Sequence, residues 1–105
     1  MVRTKEPLSP LTEATFYILI SLTEPLHGYG ILQKVEEMSN GRVQLGAGTL
    51  YGALKNLVER GMIQEVGANT GRRKNYQVTP NGLELIEEEL VRLEELLENG
   101  RKMLE

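Results

Sequence analysis

Residues 48–57 read GTLYGALKNL, and their apolar and polar side chains separate onto two faces when the stretch is drawn as a helix. Helical spacing predicts a buried stripe of Leu50, Leu54, Leu57 and Val58. The opposite face carries Thr49, Gly52, Lys55 and Asn56. That face is small, polar and cationic, which is typical of a helix that enters the major groove of DNA.

Gly52 lies in the interior of this helix, on its polar face. Glycine at such a position costs about 1 kcal/mol relative to alanine, which indicates that something approaches the helix backbone closely. A basic run, Arg72, Arg73 and Lys74, follows further along the chain. Like charges at a loop repel one another unless a polyanion relieves them, so we expect at least one of these arginines to contact DNA.

Each candidate also has a plainer interpretation. An ordinary solvated helix face would also carry residues such as Thr49, Tyr51, Lys55 and Asn56. Tyr51 could instead pack against the preceding helix. The basic run is also typical of a hairpin whose charges only keep the protein soluble. The order of the elements favours DNA contact for Thr49, Tyr51 and Lys55, and Asn56 stays evenly balanced. Tyr29, at the start of the preceding helix, fits a phosphate anchor and a half-buried packing residue equally well. Arg42 is a weaker phosphate candidate.

Composition excludes several kinds of chemistry. The chain has 105 residues, enough for one core, with no cysteine and a single histidine, His27. Disulfides, thiolate metal sites and cysteine nucleophiles are therefore absent, and a histidine-based metal cluster or a Ser-His-Asp relay cannot be assembled. We expect no enzyme activity, no cofactor and no metal. Without an export signal or a long apolar run, the sequence predicts a cytoplasmic protein with no membrane partner.

The net charge of −3 hides an asymmetry along the chain. Residues 1–41 carry 3 Lys/Arg against 5 Asp/Glu, residues 42–82 carry 6 against 2, and residues 83–105 carry 3 against 8. Salt screens charges beyond about 8 Å at physiological ionic strength. A phosphate is therefore attracted or repelled by the charges near it and not by the net charge of the chain. The cationic middle third therefore favours a nucleic-acid partner despite the acidic total.

Periodicity and turn signals predict the order of the elements. Ser9-Pro10, with Thr12 as an alternative cap, begins a helix over 10–23, and His27-Gly28 leads into a second helix that ends at Asn40-Gly41. The remaining elements are a short strand over 42–46, a helix over 47–60, strands over 62–66 and 72–79, and a helix over 80–104.

The last helix carries an apolar seam at heptad spacing, interrupted only by Gly100. Its members are Leu83, Ile86, Leu90, Leu93, Leu97 and Leu104. A helix of this length spans about 37 Å, more than a small core can cover, so we expect the seam to form a dimer. Glu88 with Arg92, and Glu98 with Lys102, are expected ion pairs on the solvated side.

Four stretches in a fixed order resemble the PadR family of bacterial transcriptional regulators. They are LTEATFYILISL (11–22), PLHGYGI (25–31), GTLY (48–51) and YQVTPNG (76–82). The resemblance implies a mainly α fold with a small β-hairpin: a winged helix-turn-helix DNA-binding domain over 1–79 and a long C-terminal dimerisation helix over 80–105. It also implies a homodimeric repressor on a palindromic operator, with the third helix in the major groove and the wing along the DNA backbone or in the minor groove.

The single C-terminal helix is similar to the short subgroup of that family, for which the resemblance implies a small-molecule effector at the dimer interface. Some members hold flat aromatic or cationic molecules between tryptophans, and this chain has none. That stacking is unavailable here, and the identity of any effector stays open. An alternative hypothesis is a winged-helix protein-interaction module, or antirepressor, that does not read DNA; the acidic C-terminal third supports it.

Overall fold

The computed structural model describes residues 8–67 and 74–105. These residues form helices α1 (Glu13–Ser21), α2 (Gly28–Met38), α3 (Ala47–Glu59) and α4 (Pro80–Leu104), and strands β1 (Leu26–His27), β2 (Ile63–Val66) and β3 (Asn75–Val78). The strands make one antiparallel sheet in the order β1-β3-β2. The predicted fold, mainly helical with a small sheet and a long C-terminal helix, is confirmed.

The core lies where α1, α2 and α3 meet the sheet and the first half of α4. Its most deeply buried members are Ile18, Leu19, Leu22, Ile31, Val35, Leu50, Leu54, Leu57 and Ile63. Burying each such side chain contributes about 1.5–3 kcal/mol. The predicted α3 stripe is correct for its three leucines and wrong for Val58, which is 38% exposed. Val58 lies at the edge of the stripe and faces a hollow between α3 and the hairpin.

The first helix begins later than predicted, because Thr12 is its cap. The Thr12 hydroxyl accepts a hydrogen bond from the Thr15 backbone N–H at 3.1 Å. Ser9 caps nothing, since its hydroxyl instead donates to Glu89 in α4 at 2.6 Å. The local sequence offered both caps, and a contact between segments distant in the chain decided between them.

The predicted strand over 42–46 does not form. Val43 and Leu45 do place their side chains against the core, but the backbone turns, and the Val43 N–H donates to the Ser39 hydroxyl at 2.9 Å. A loop that buries every second side chain shows the same alternation of apolar and polar residues as a strand, which is why the sequence predicted one. The strand that joins the hairpin is instead Leu26–His27, which pairs with β3 and is too short to show any alternation.

The hairpin strands lie within the predicted ranges, as β2 (Ile63–Val66) and β3 (Asn75–Val78). Ile63 is opposite Val78. Both are buried, as is Tyr76 on the same side of β3, so this side of the hairpin faces the core. The tip of the hairpin, including Arg72 and Arg73, lies outside the described residues.

Helix α4 is held to the core by one end only. Ile86 of the seam and its neighbour Leu85 are each 8% exposed, whereas the other seam residues are far more exposed. Their exposed fractions are 47% for Leu83, 47% for Leu90, 39% for Leu93, 56% for Leu97 and 90% for Leu104. Ile86 therefore belongs to the core of its own chain, and little of its side-chain surface is available for contact with a second subunit. Among the described helices, none is both long and apolar enough to span a membrane.

The carboxylate of Glu89 attaches the segment before α1 to α4. It is 1% exposed and accepts hydrogen bonds from the Ser9 hydroxyl and, at 2.9 Å, from the Leu11 N–H. Arg92 donates to it twice, at 3.1 and 2.8 Å. The predicted pair of Arg92 with Glu88 is therefore wrong by one residue, whereas Lys102 does pair with Glu98, at 3.4 Å.

These contacts hold the pKa of Glu89 at about 2, below its ordinary value of 4.5. The Arg92 guanidinium is the main cause, helped by Ser9 and Leu11 and opposed by burial. A carboxyl with a depressed pKa in the folded chain stabilises it fully above the ordinary pKa, and this stabilisation is lost as pH falls through the folded pKa. The shift corresponds to about 3 kcal/mol, concentrated between pH 4.5 and pH 2.

We predict that Glu89→Gln lowers the free energy of unfolding at pH 7 by about 3 kcal/mol. The difference from the parent chain should shrink as pH falls from 5 towards 2, because the parent carboxylate then also becomes neutral. Urea denaturation at several pH values measures this, with Glu88→Gln on the exposed side of the same turn as the control. A difference that stays constant across the range would contradict it.

Candidate nucleic-acid interface

The polar face of α3 is open to solvent along its length. Its members, Thr49, Gly52, Lys55 and Asn56, are all exposed. A Cβ atom built on Gly48 or Gly52 would meet no other atom within 4 Å. No described part of the chain covers this face, so the helix backbone itself can be approached from outside at Gly52.

The N-terminal end of α3 is also uncovered. The helix is preceded by Gly46, which has no side chain to cap the first-turn N–H groups. Thr49 lies in that first turn and is exposed. The N–H groups and the Thr49 hydroxyl are hydrogen-bond donors at the positive end of the helix dipole, an arrangement that suits a phosphate oxygen.

Tyr51 packs against the start of α2 and still keeps 53% of its surface exposed. A Cβ atom on Gly28 would lie 2.3 Å from its hydroxyl oxygen, so the ring occupies space that only glycine leaves free. Tyr29, the next residue in α2, is 62% exposed and is not the half-buried packing residue of the plainer interpretation. Two accessible phenol rings therefore lie at the first turn of α2, Tyr29 from α2 itself and Tyr51 from α3.

Tyr51, Lys55 and Lys74 line one hollow of about 350 Å³ between α3 and the hairpin. Its other lining residues are Leu54, Val58, Glu59, Glu65 and Tyr76. Burial raises the pKa of the Tyr76 phenol, with a smaller contribution from Glu65. The structure thus brings Lys74 of the hairpin next to Tyr51 and Lys55 of α3, which lie far from it in the sequence.

Two carboxylates in this hollow were missed by the sequence analysis. Glu65 lies 3.6 Å from the Lys74 ammonium, so part of the positive charge at the base of the hairpin is already compensated. Glu59 lines the same hollow beside Lys55. The hairpin register, in which Val66 pairs with Asn75, is the signal that could have predicted the proximity of Glu65 to Lys74.

Arg42 is committed to an ion pair. Its guanidinium forms a two-fold hydrogen-bonded pair with the Glu13 carboxylate at the start of α1. The pair raises the pKa of Arg42 and lowers that of Glu13, mainly through the hydrogen bonds between them. Arg42 therefore links the α2–α3 connection to α1, and contacting a phosphate would require it to leave Glu13.

Comparison with known proteins identifies the class of this fold. The model of the transcriptional regulator PadR-like family matches residues 17–88. In structure, the chain is similar to a transcriptional regulator from Clostridium thermocellum, with a TM-score of 0.76 and 22% identity over 88% of this chain and 90% of that one. A PadR family transcriptional regulator from Eggerthella lenta gives a TM-score of 0.69 and 25% identity over 87% of this chain and 80% of that one.

A curated relative is a protein of Streptomyces fradiae, described as an uncharacterized 37.1 kDa protein in transposon TN4556. It is 38% identical over 78 residues, which are 73% of this chain. The chain spans only 22% of the length of that relative. The family match covers most of the chain, and the protein belongs to the PadR-like family of transcriptional regulators.

We predict that Gly28→Ala destabilises the chain by at most about 1 kcal/mol, because its methyl group would push the exposed Tyr51 ring aside. In a Tyr51→Ala background the same substitution should be neutral or favourable, since the ring is gone. A double-mutant cycle by urea denaturation measures the coupling between the two positions. A coupling energy of zero would show that Tyr51 does not occupy this space in solution.

Proposed function

We propose that the chain is a sequence-specific DNA-binding regulator, a repressor that acts as a homodimer on a palindromic operator. The observation that supports this best is the uncovered polar face of α3, with open backbone at Gly52 and a cation at Lys55. The DNA-contacting residues would be Tyr29, Thr49, Tyr51, Lys55, Asn56, Arg72, Arg73 and Lys74. Bases would be contacted from the polar face of α3, and phosphates from the first turn and Lys55 of α3, from the start of α2 and from the hairpin.

Dimerisation is supported by the far half of α4. Beyond Glu89 the apolar face that packs on the core continues as Leu93, Leu96 and Leu97, which are 39–56% exposed. Heptad-spaced leucines on an uncovered helix are buried by pairing with a second helix. The proposal therefore assigns the DNA-binding unit to residues 1–79 and the dimer contacts to Leu83, Leu90, Leu93, Leu97 and Leu104 of the segment 80–105.

A two-fold axis between the α4 helices would place the two α3 helices in successive major grooves, about 34–36 Å apart. The operator would then be an inverted repeat with its half-sites one helical turn apart. Symmetry in the protein requires symmetry in the DNA, so homodimer and palindrome are tested together.

The proposal includes a small-molecule effector. A hollow of about 320 Å³ lies between α1 and α4, next to the exposed apolar face. Its lining includes Leu11, Phe16, Tyr17, Arg92 and Leu93. A molecule that binds one arrangement of the two subunits better than another must change operator affinity by the same coupling energy.

The test is selection of bound sequences from a pool of random DNA duplexes, with the operator recovered from the bound fraction. An inverted repeat is the expected result. Its affinity should fall steeply with added salt, and Lys55→Ala should reduce the slope of log K against log salt by about one unit. Lys102→Ala, at the far end of α4, should leave the slope unchanged. Enrichment of no sequence would favour the protein-interaction module and reject the proposal.

We predict that Gly52→Ala raises the free energy of unfolding by about 1 kcal/mol and at the same time weakens operator binding at least tenfold. Alanine is the better helix former, but its methyl group would stand between the helix backbone and the DNA. Thermal denaturation and a binding titration measure the two effects. Asn99→Ala, at an exposed position of α4 away from the leucine seam, should be mildly stabilising without any loss of affinity. If Gly52→Ala binds as tightly as the parent, close approach to DNA at this point is excluded.

A further inference from the structure

One hydroxyl group joins the end of α3 to the beginning of α4. Thr79 Oγ1 accepts a hydrogen bond from the Gly82 N–H at 3.1 Å, which caps α4. The same hydroxyl donates to the Gly61 carbonyl oxygen, just beyond the end of α3, at 2.6 Å. The Thr79 backbone N–H donates to the neighbouring Met62 carbonyl oxygen at 2.9 Å. A single residue therefore fixes both helix ends to each other.

The two backbones also touch at this junction. A Cβ atom on Gly82 would lie 2.2 Å from the Met62 carbonyl oxygen and 2.4 Å from a methyl carbon of Val78. The first turn of α4 is therefore seated directly on the turn between α3 and β2, with no side chain between them. Gly61 itself has a φ of +77°, which glycine adopts without strain.

This junction lies between the two surfaces that the proposed function needs. Helix α3 carries the candidate DNA-contacting face, and the far half of α4 carries the exposed leucines. The separation and angle of the two α3 helices in a dimer depend on how each α3 is held relative to its own α4. At the end of α3, the described contacts that set this geometry include the hydroxyl bond of Thr79 to Gly61, its N–H bond to Met62 and the close packing of Gly82 on Met62.

We infer that Thr79 is a positioning residue that fixes α3 relative to α4 and thereby restricts the half-site spacing that the dimer accepts. The inference rests on the proposed function and goes beyond it, since it assigns spacing selectivity to one side chain that lies outside the candidate DNA-contacting set. When the hydroxyl contacts are removed, the recognition helices should sample a wider range of separations. Affinity for the preferred spacing then falls, whereas affinity for other spacings falls less or rises.

Two substitutions separate the contact with α3 from simple capping. Thr79→Asp keeps an oxygen that can cap α4, because aspartate is a favoured N-cap residue, but it has no hydrogen to donate to the Gly61 carbonyl oxygen. Thr79→Ser keeps both contacts. Thr12→Val is the matched control, since Thr12 caps α1 in the same way and its hydroxyl bonds to Thr15 of that helix. Thr79→Val removes both contacts and provides a second variant, should Thr79→Asp not fold.

The experiment measures affinity for synthetic duplexes that carry the selected operator with its central spacer unchanged, shortened by one base pair, or lengthened by one or two. For the parent chain we expect a loss of at least tenfold for each altered spacer. For Thr79→Asp and Thr79→Val the ratio between the preferred and altered spacers should fall to threefold or less. Thr79→Ser and Thr12→Val should keep the parental ratio. Because the ratio is compared within one variant, a uniform loss of affinity from the added negative charge does not affect it.

An unchanged ratio in both Thr79→Asp and Thr79→Val would overturn the inference while leaving the proposed function in place. An equal fall of the spacer ratio in Thr12→Val would also overturn the inference, because the effect would then come from lost stability. A parent chain that selects no two-half-site operator would remove the proposed function, and the inference with it.

Discussion

The buried carboxylate of Glu89 is the interaction on which the arrangement of this chain depends. An ion taken out of water is costly unless all its lone pairs are engaged, and removing one partner of a buried pair typically costs about 3–5 kcal/mol. Here Arg92, Ser9 and the Leu11 N–H engage both oxygens. The carboxylate therefore holds the chain before α1 against α4. It also marks the last position of α4 that the core of its own chain covers.

Beyond Glu89 the same helix face remains apolar, and the described residues leave most of it exposed. Leu96 and Leu97 are 54% and 56% exposed, on a helix that the core supports only through its first turns. One helix thus has two roles along its length, first as part of the core and then as an unpartnered apolar surface. Glu89, the last buried residue of α4, lies at the transition between the two, with its hydrogen bonds made within its own chain.

The periodicity of apolar residues predicted most of the helices and strands. It could not predict the caps and ion pairs that depend on contacts between segments distant in the sequence. Leu50, Leu54 and Leu57 were identifiable as a buried stripe because a helix repeats every 3.6 residues. The choice of Thr12 over Ser9 as a cap, and of Glu89 over Glu88 as the partner of Arg92, depends on where α1 lies against α4, which no local pattern contains. Likewise the exposed face of α3 was predictable, whereas the gathering of Tyr51 and Lys74 around one hollow required the fold.

At some positions the packing of the chain itself requires a glycine, and at others it does not. At Gly28 a side chain would meet the Tyr51 ring, and at Gly82 the Met62 carbonyl oxygen, so the chain itself excludes larger residues there. Gly82 and the Thr79 cap also give a physical reason for the stretch 76–82 that resembles the family. Gly52 differs, because the space around it is empty among the described atoms and its backbone is ordinary helix. Internal packing therefore gives no reason for a glycine at this position, where it lowers helix stability, and the close approach to DNA proposed above would supply one.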